Sequence, residues 1–192
     1  MNKFSLILAS KIRQIRNDNE GVAAIEFALI LPILVILLLG TFEIGQALTV
    51  DRRVTQAASS SADLVAQNDM IDDDGLDTVM DLADSILAPY DPNLLDIDVI
   101  SVNSDVDGNT TVGWSYSKSG GEPFAEGAAY PMTGDLANLV SPNSSIIIAK
   151  TTYTYTSVIG TFFTDGIELE ETFYLRPRKS NQVTKCAGPC PA

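Results

Sequence analysis

The 192-residue chain has no histidine, only two cysteines and one tryptophan, and 12 basic residues against 25 acidic ones. Without histidine it lacks both the side chain most used as a general base near neutral pH and the commonest zinc ligand. It also has no Gly-x-Ser-x-Gly nucleophile elbow and no Gly-x-x-x-x-Gly-Lys phosphate loop, and the spacing of its many Asp residues singles out no catalytic pair. The expectation is a non-enzyme with no catalytic residue, no cofactor and no metal. The shortage of positive charge excludes a second class. Between Val54 and Asp135 the only basic residue is Lys118, and the formal net charge is −13, so the basic face that nucleic acid requires is missing.

The two cysteines, Cys186 and Cys190, stand at the end of the chain as Cys-Ala-Gly-Pro-Cys. This is neither the Cys-x-x-Cys redox spacing nor part of a four-ligand zinc set. A small terminal disulfide in an oxidising compartment and free or intermolecular thiols both fit the spacing.

What the sequence does have is one long apolar run. From Phe27 to Leu39 only Ala28 and Pro32 are not strongly apolar. At roughly −0.3 to −0.6 kcal/mol each, the other eleven residues contribute about −3 to −7 kcal/mol to membrane insertion, against about +3 for one ionised carboxylate at mid-membrane. Insertion therefore wins even with Glu26 counted at full cost, and Glu43 is expected at the far interface. Residues 22–45 are long enough as a helix to cross a hydrocarbon core of about 30 Å. Residues 1–21 carry four basic and two acidic side chains, whereas the remainder is strongly acidic. The positive-inside rule then puts the amino terminus in the cytoplasm and the rest outside it.

An acid one turn inside an anchor gains nothing for anchoring, and intramembrane acids are usually paired and functional. The segment GVAAIEFALILPILVILLLGTFEIGQAL, with Gly21, Glu26, Phe27, Ala28, Leu29 and Pro32 at the matching positions, resembles the amino-terminal signature of the TadE-like family, minor pseudopilins of the tight-adherence (Flp) type IVb pilus machinery. Looser echoes follow at Asp51-Arg52-Arg53-Val54, Ala62-Asp63-Leu64-Val65, Trp114-Ser115, Tyr153-Thr154-Tyr155 and Arg176-Pro177-Arg178.

The resemblance implies processing by a prepilin peptidase between Gly21 and Val22. It implies assembly through Glu26, Phe27 and Pro32, with Glu26 meeting the freed amine of a neighbouring subunit. The implied partners are that peptidase, other Tad pseudopilins, the pilus assembly platform proteins and the bacterial inner membrane, which the chain crosses once with its body in the periplasm. Asp18, Asn19 and Glu20 depart from the family pattern, which tends to place basic residues directly before the glycine. An uncleaved single-span anchor whose acidic outer domain binds a partner or surface therefore stays open, as does conventional signal cleavage after Ala47.

Read in order, the chain divides into a leader at 1–21, a membrane helix at 22–45, an outer α+β domain at 46–178 and a tail at 179–192. Pro32 is expected to bend or loosen one helical turn. The helix continues outward on a stripe of Ala47, Val50, Val54, Ala57, Ser61 and Leu64, and ends near Gln67-Asn68-Asp69. The acids of the loop from Ile71 to Gly75 cap a short amphipathic helix that presents Leu76, Val79, Met80, Ala83, Ile86 and Leu87 and stops before Pro89.

Period-two runs then predict an antiparallel sheet of about four strands, pilin-like in outline by resemblance. Leu95, Ile97 and Val99 mark one strand, and Val112, Trp114 and Tyr116 share a face of the next, with a turn at Asp107-Gly108 between them. The remaining two strands are Ser145 to Thr156 and Ile167 to Arg176. The Gly-, Pro- and Ser-rich loop from Lys118 to Ser144, with a helical turn at Asp135 to Leu139, reads as a partner-contact surface. The tail from Arg178 is polar and expected to be mobile.

Overall fold

The computed structural model describes residues 21–132, 136, 139–157, 160 and 166–191. The leader up to residue 20 and most of the turn expected at 135–139 lie outside them. The chain divides into two units, Met1–Ile44 and Gly45–Ala192. In the first, the described residues after Gly21 belong to helix α1, which runs over Val22–Ala66 with Pro32 inside it. Every residue from Gly21 to Leu38 is exposed.

Among the described residues the second unit holds the outer part of α1, helix α2 (Asp73–Leu87), a 3-10 turn at Pro92–Leu94 and six strands: β1 (Met70–Ile71), β2 (Leu95–Ser104), β3 (Thr110–Ser117), β4 (Ser145–Tyr155), β5 (Ile167–Leu175) and β6 (Thr184–Lys185). The main sheet is antiparallel in the order β3-β2-β4-β5, and β1 and β6 form a separate parallel pair. The α+β reading and the four-stranded antiparallel sheet are thereby borne out.

The α1 stripe packs where the periodicity placed it, but it is broader. Val50, Val54, Ala57 and Ser61 are buried as expected, and Ala58, Ala62, Val65 and Ala66 join them. Small side chains on this face let the helix sit close to the sheet. The α1 residues share one core with Leu76, Val79, Met80, Ala83 and Leu87 of α2 and with Leu95, Ile97, Val99, Trp114, Ile147, Tyr153 and Tyr155 of the sheet. Helix α2 starts where its acids predict. Asp72 is the N-cap, its side chain accepting from the Gly75 amide at 3.0 Å, with Asp73 and Asp74 in the first turn.

One face assignment fails. Val112 does not share a face with Trp114 and Tyr116. The β2–β3 pairing runs Ser101↔Trp114 and then Val102↔Val112, which leaves Gly113 as an extra residue. This bulge turns Val112 to the opposite side, where it joins Ile100, Val102, Ile146 and Ile148 in a second core. Period-two reading cannot see such an insertion, although a glycine within a strand is its usual mark.

The loop after Lys118 closes this second core. Phe124, Tyr130, Met132 and Val140 pack on it, and Thr111 makes an isolated bridge to Ala129. At roughly 1.5–3 kcal/mol for each fully buried aliphatic side chain, burying these five is worth at most about 15 kcal/mol, a part of which would be forfeited without a cover. The stretch read as a partner surface thus has a structural task that accounts for its length.

The tail is also corrected, because it folds back as a strap. The Arg178 amide donates to the Ala66 carbonyl, Thr184 to Asp69 and Cys186 to Ile71, while the Asn181 carbonyl accepts from Ser145. Val183 is buried in the main core. The polar composition hid this because the strap is held mainly through its backbone.

Candidate assembly site

The processing and assembly residues named from the sequence all fall on the exposed start of α1. The Gly21 carbonyl accepts the first helical bond from the Ile25 amide at 3.1 Å, and a Cβ at Gly21 would meet nothing within 4 Å. Val22 begins the helix, and Glu26, four residues on, shares its face one turn away. Glu26 lies beyond the first turn and does not cap the helix, so capping does not explain it. Phe27 is 58% exposed. Pro32 is about 120° round the helix from Glu26. It removes the amide that would have bonded the Ala28 carbonyl, and the helix nevertheless runs through it unbroken.

Two hydroxyls further along this helix are satisfied from within. Thr41 Oγ1 donates to the Leu37 carbonyl and Thr49 Oγ1 to the Gly45 carbonyl, each at 2.8 Å. A hydroxyl bonded to its own helix needs no water, which suits an apolar surround. Glu43, expected at the far interface, is buried at 1% exposure. By length and composition α1 is able to cross a membrane, and among the described residues none of its apolar window is buried.

Cys186 and Cys190 are joined as a disulfide with their Cα atoms 5.6 Å apart. It closes the end of the strap against α2, where the Cys190 amide donates to Asp72 at 3.3 Å. The Gly75 amide, and after it the Cys190 amide, hold the Asp72 carboxyl below the usual range. Beside it Lys185 pairs with Asp73 at 3.2 Å and Glu122 at 3.5 Å, and lies 5.4 Å from the centroid of the Tyr116 ring. The Tyr116 hydroxyl donates to Asp77, and that bond first, then burial, pushes its pKa up to about 12.

Several residues that sequence reasoning left without a task turn out to be fasteners. Arg53 Nη1 donates to the Ile86 carbonyl at 2.8 Å and to the Ala88 carbonyl, filling the carbonyl end of α2. Its guanidinium lies 5.8 Å from the centroid of the Tyr90 ring, and the Tyr90 hydroxyl donates to Gln46. Arg178 pairs with Asp63, and the indole of Trp114 donates to the Val183 carbonyl at 2.7 Å. Lys118 pairs with Asp84 at 2.6 Å and donates to the carbonyls of Pro92 and Leu95. Its isolation in an acidic sequence was the available signal, but only the fold brings those acceptors together.

Residues 21–63 match the family model described as TadE-like protein, which bears out the resemblance read from the same stretch and supports a place in the Tad pilus machinery. No curated protein and no solved structure gives a significant match.

Proposed function

We propose that this chain is a minor pseudopilin, an assembly subunit of a tight-adherence (Flp) pilus, rather than an enzyme. The apolar half of α1 inserts in the bacterial inner membrane, a prepilin peptidase cuts between Gly21 and Val22, and the subunit then engages other Tad pseudopilins and the assembly platform through that helix. The observation that carries this reading is an exposed apolar helix starting at Val22, with its one early acid uncapped and unburied at Glu26, inside the stretch that matches the TadE-like family.

The chemistry follows from what cleavage would create. A cut after Gly21 turns the Val22 nitrogen into an ammonium. An ammonium and a carboxylate are each costly in lipid and offset one another when paired, so the Val22 amine of one subunit and Glu26 of the next give a reason for side-by-side docking. The bare face of leucine and isoleucine supplies the remaining contact area without choosing a register, and the charge pair supplies the register.

Amino-terminal sequencing of the protein extracted from membranes tests the reading. Val22 as first residue supports it, Met1 indicates a permanent anchor with an acidic partner-binding domain, and Leu48 indicates conventional secretion. Glu26→Gln is expected to leave membrane insertion intact while reducing pilus number at least about tenfold, as loss of one charge-assisted pair would. Normal piliation in that variant would remove Glu26 from the mechanism.

A further inference from the structure

The strap from Arg178 to Cys190 is fastened along its length, and its last fastening lies at the disulfide. The Arg178, Thr184 and Cys186 amides bond to Ala66, Asp69 and Ile71 directly. The Cys190 amide reaches Asp72 at 3.3 Å from the far end of the short loop over Ala187, Gly188 and Pro189 that the bond to Cys186 closes. Those three residues are exposed, so a small thiol reagent has access to the bond. Asp72 is shared, since its other oxygen caps α2 through the Gly75 amide. On its inner side the strap buries Val183 and accepts the indole N–H of Trp114. Gln182, Thr184, Lys185 and Ala187 are among the residues that line a cleft of about 490 Å³, with Asn103 and Glu122.

We propose that the Cys186–Cys190 disulfide is a redox-operated clasp: closed, it locks the strap onto the Asp72 cap of α2 and sets the wall of the cleft, and opened, it frees the strap end while the sheet stays folded. Closure joins the two sulfurs, and the two protons and two electrons released reduce a second disulfide to two thiols, that of oxidised glutathione or of an oxidised thiol–disulfide oxidoreductase. Opening is the reverse, with a dithiol as the reductant. The clasp acts locally because β2 and β4, the central strands, make no bond to residues 186–190, whereas the start of α2 does. Its state depends on the thiol poise around the outer unit and is independent of whether the chain is a pilus subunit.

The test is amide hydrogen exchange on the full chain in detergent, oxidised and after reduction with dithiothreitol, beside Cys186→Ser/Cys190→Ser. Reduction is expected to speed exchange about tenfold or more at the amides of Gly75, Thr184 and Cys186, with the core amides of β2 and β4 unchanged. Trp114 is the sole tryptophan, so its emission should move to the red as the strap loosens. The double serine variant should match the reduced protein. In Asp72→Ala the Gly75 amide has already lost its acceptor, and reduction should add nothing there. The proposal is overturned if these amides change less than about twofold with Trp114 emission constant, or if protection falls throughout the sheet, which would make the bond a global staple. Equal acceleration at Gly75 in Asp72→Ala and the parent would overturn it too, because the clasp would not act through Asp72.

Discussion

Two charged residues show how far a side chain's neighbourhood departs from its composition class. Lys118 is 18% exposed and holds one carboxylate and two carbonyls where β3, α2 and the 3-10 turn meet. Lys118→Met keeps the stem and deletes the donors, leaving Asp84 and two carbonyls short of a partner, so a loss of about 2 kcal/mol is expected in a urea melt. A change below about 0.5 kcal/mol would make the pair a surface ornament. Asp98 is the opposite case. Burial raises its pKa first, Asp96 adds to the rise, and the Ser117 hydrogen bond and Lys150 only partly oppose it. A carboxyl whose pKa is raised on folding favours the folded state most when protonated, below its unfolded value, and that contribution is lost as pH rises through the folded pKa. Asp98→Asn should therefore melt higher than the parent at pH 7, by roughly 2 °C, with the advantage vanishing below about pH 4. A constant offset between pH 3 and 7 would count against burial as the cause. Neither residue's role was legible beforehand, because each depends on groups brought in from distant parts of the chain.

Among the elements, legibility followed period. Helix α2 and its Asp72 cap, the turn at Asp107-Gly108 and the extents of β4 and β5 were readable because each is written within a dozen residues. The turn is a case in point, since the Asp105 carboxylate accepts from the amides of Asp107 and Asn109 and from the Asn109 side chain. The Asn109 side chain first, then its amide, holds that carboxyl below the usual range. Two features failed the same method for physical reasons. Gly113 breaks the alternation by one residue, and the loop after Lys118 buries only scattered aromatics with no period at all. That loop carries its own prediction. Phe124 meets Tyr130 edge to face, with centroids 5.5 Å apart, over Ile100, Val102, Val112, Ile146 and Ile148. Phe124→Ala should cost about 2 kcal/mol and speed amide exchange in the β2–β3 hairpin, as opening a core cover does. A near-neutral result would return the loop to the role of a partner surface. For the assembly segment the residues were legible and their exposure along α1 agrees with the reading, but pairing with a neighbour's amine is a property of two chains and no single sequence or fold contains it.

At the scale of the molecule the charge and the core are partitioned in the same way. Residues 1–44 hold four basic and four acidic side chains, which cancel, so the net −13 belongs wholly to the part from Gly45 onward. Both buried clusters lie in that part too, from Val50 to Val183. The first unit thus carries the apolar surface that needs lipid or neighbouring helices, and the second carries the charge that keeps an exposed body in solution and the packing that keeps it folded. A chain beginning at Gly45, produced in an oxidising compartment, should stay in solution without detergent and unfold in one cooperative step, whereas the full chain should partition into membranes. If the shortened chain aggregates or melts without cooperativity, the outer part of α1 takes more of its order from the apolar half than the division of the core implies. If it folds but still sediments with membranes, a second membrane contact must lie on the acidic body, and the apolar half of α1 would lose its standing as the sole anchor.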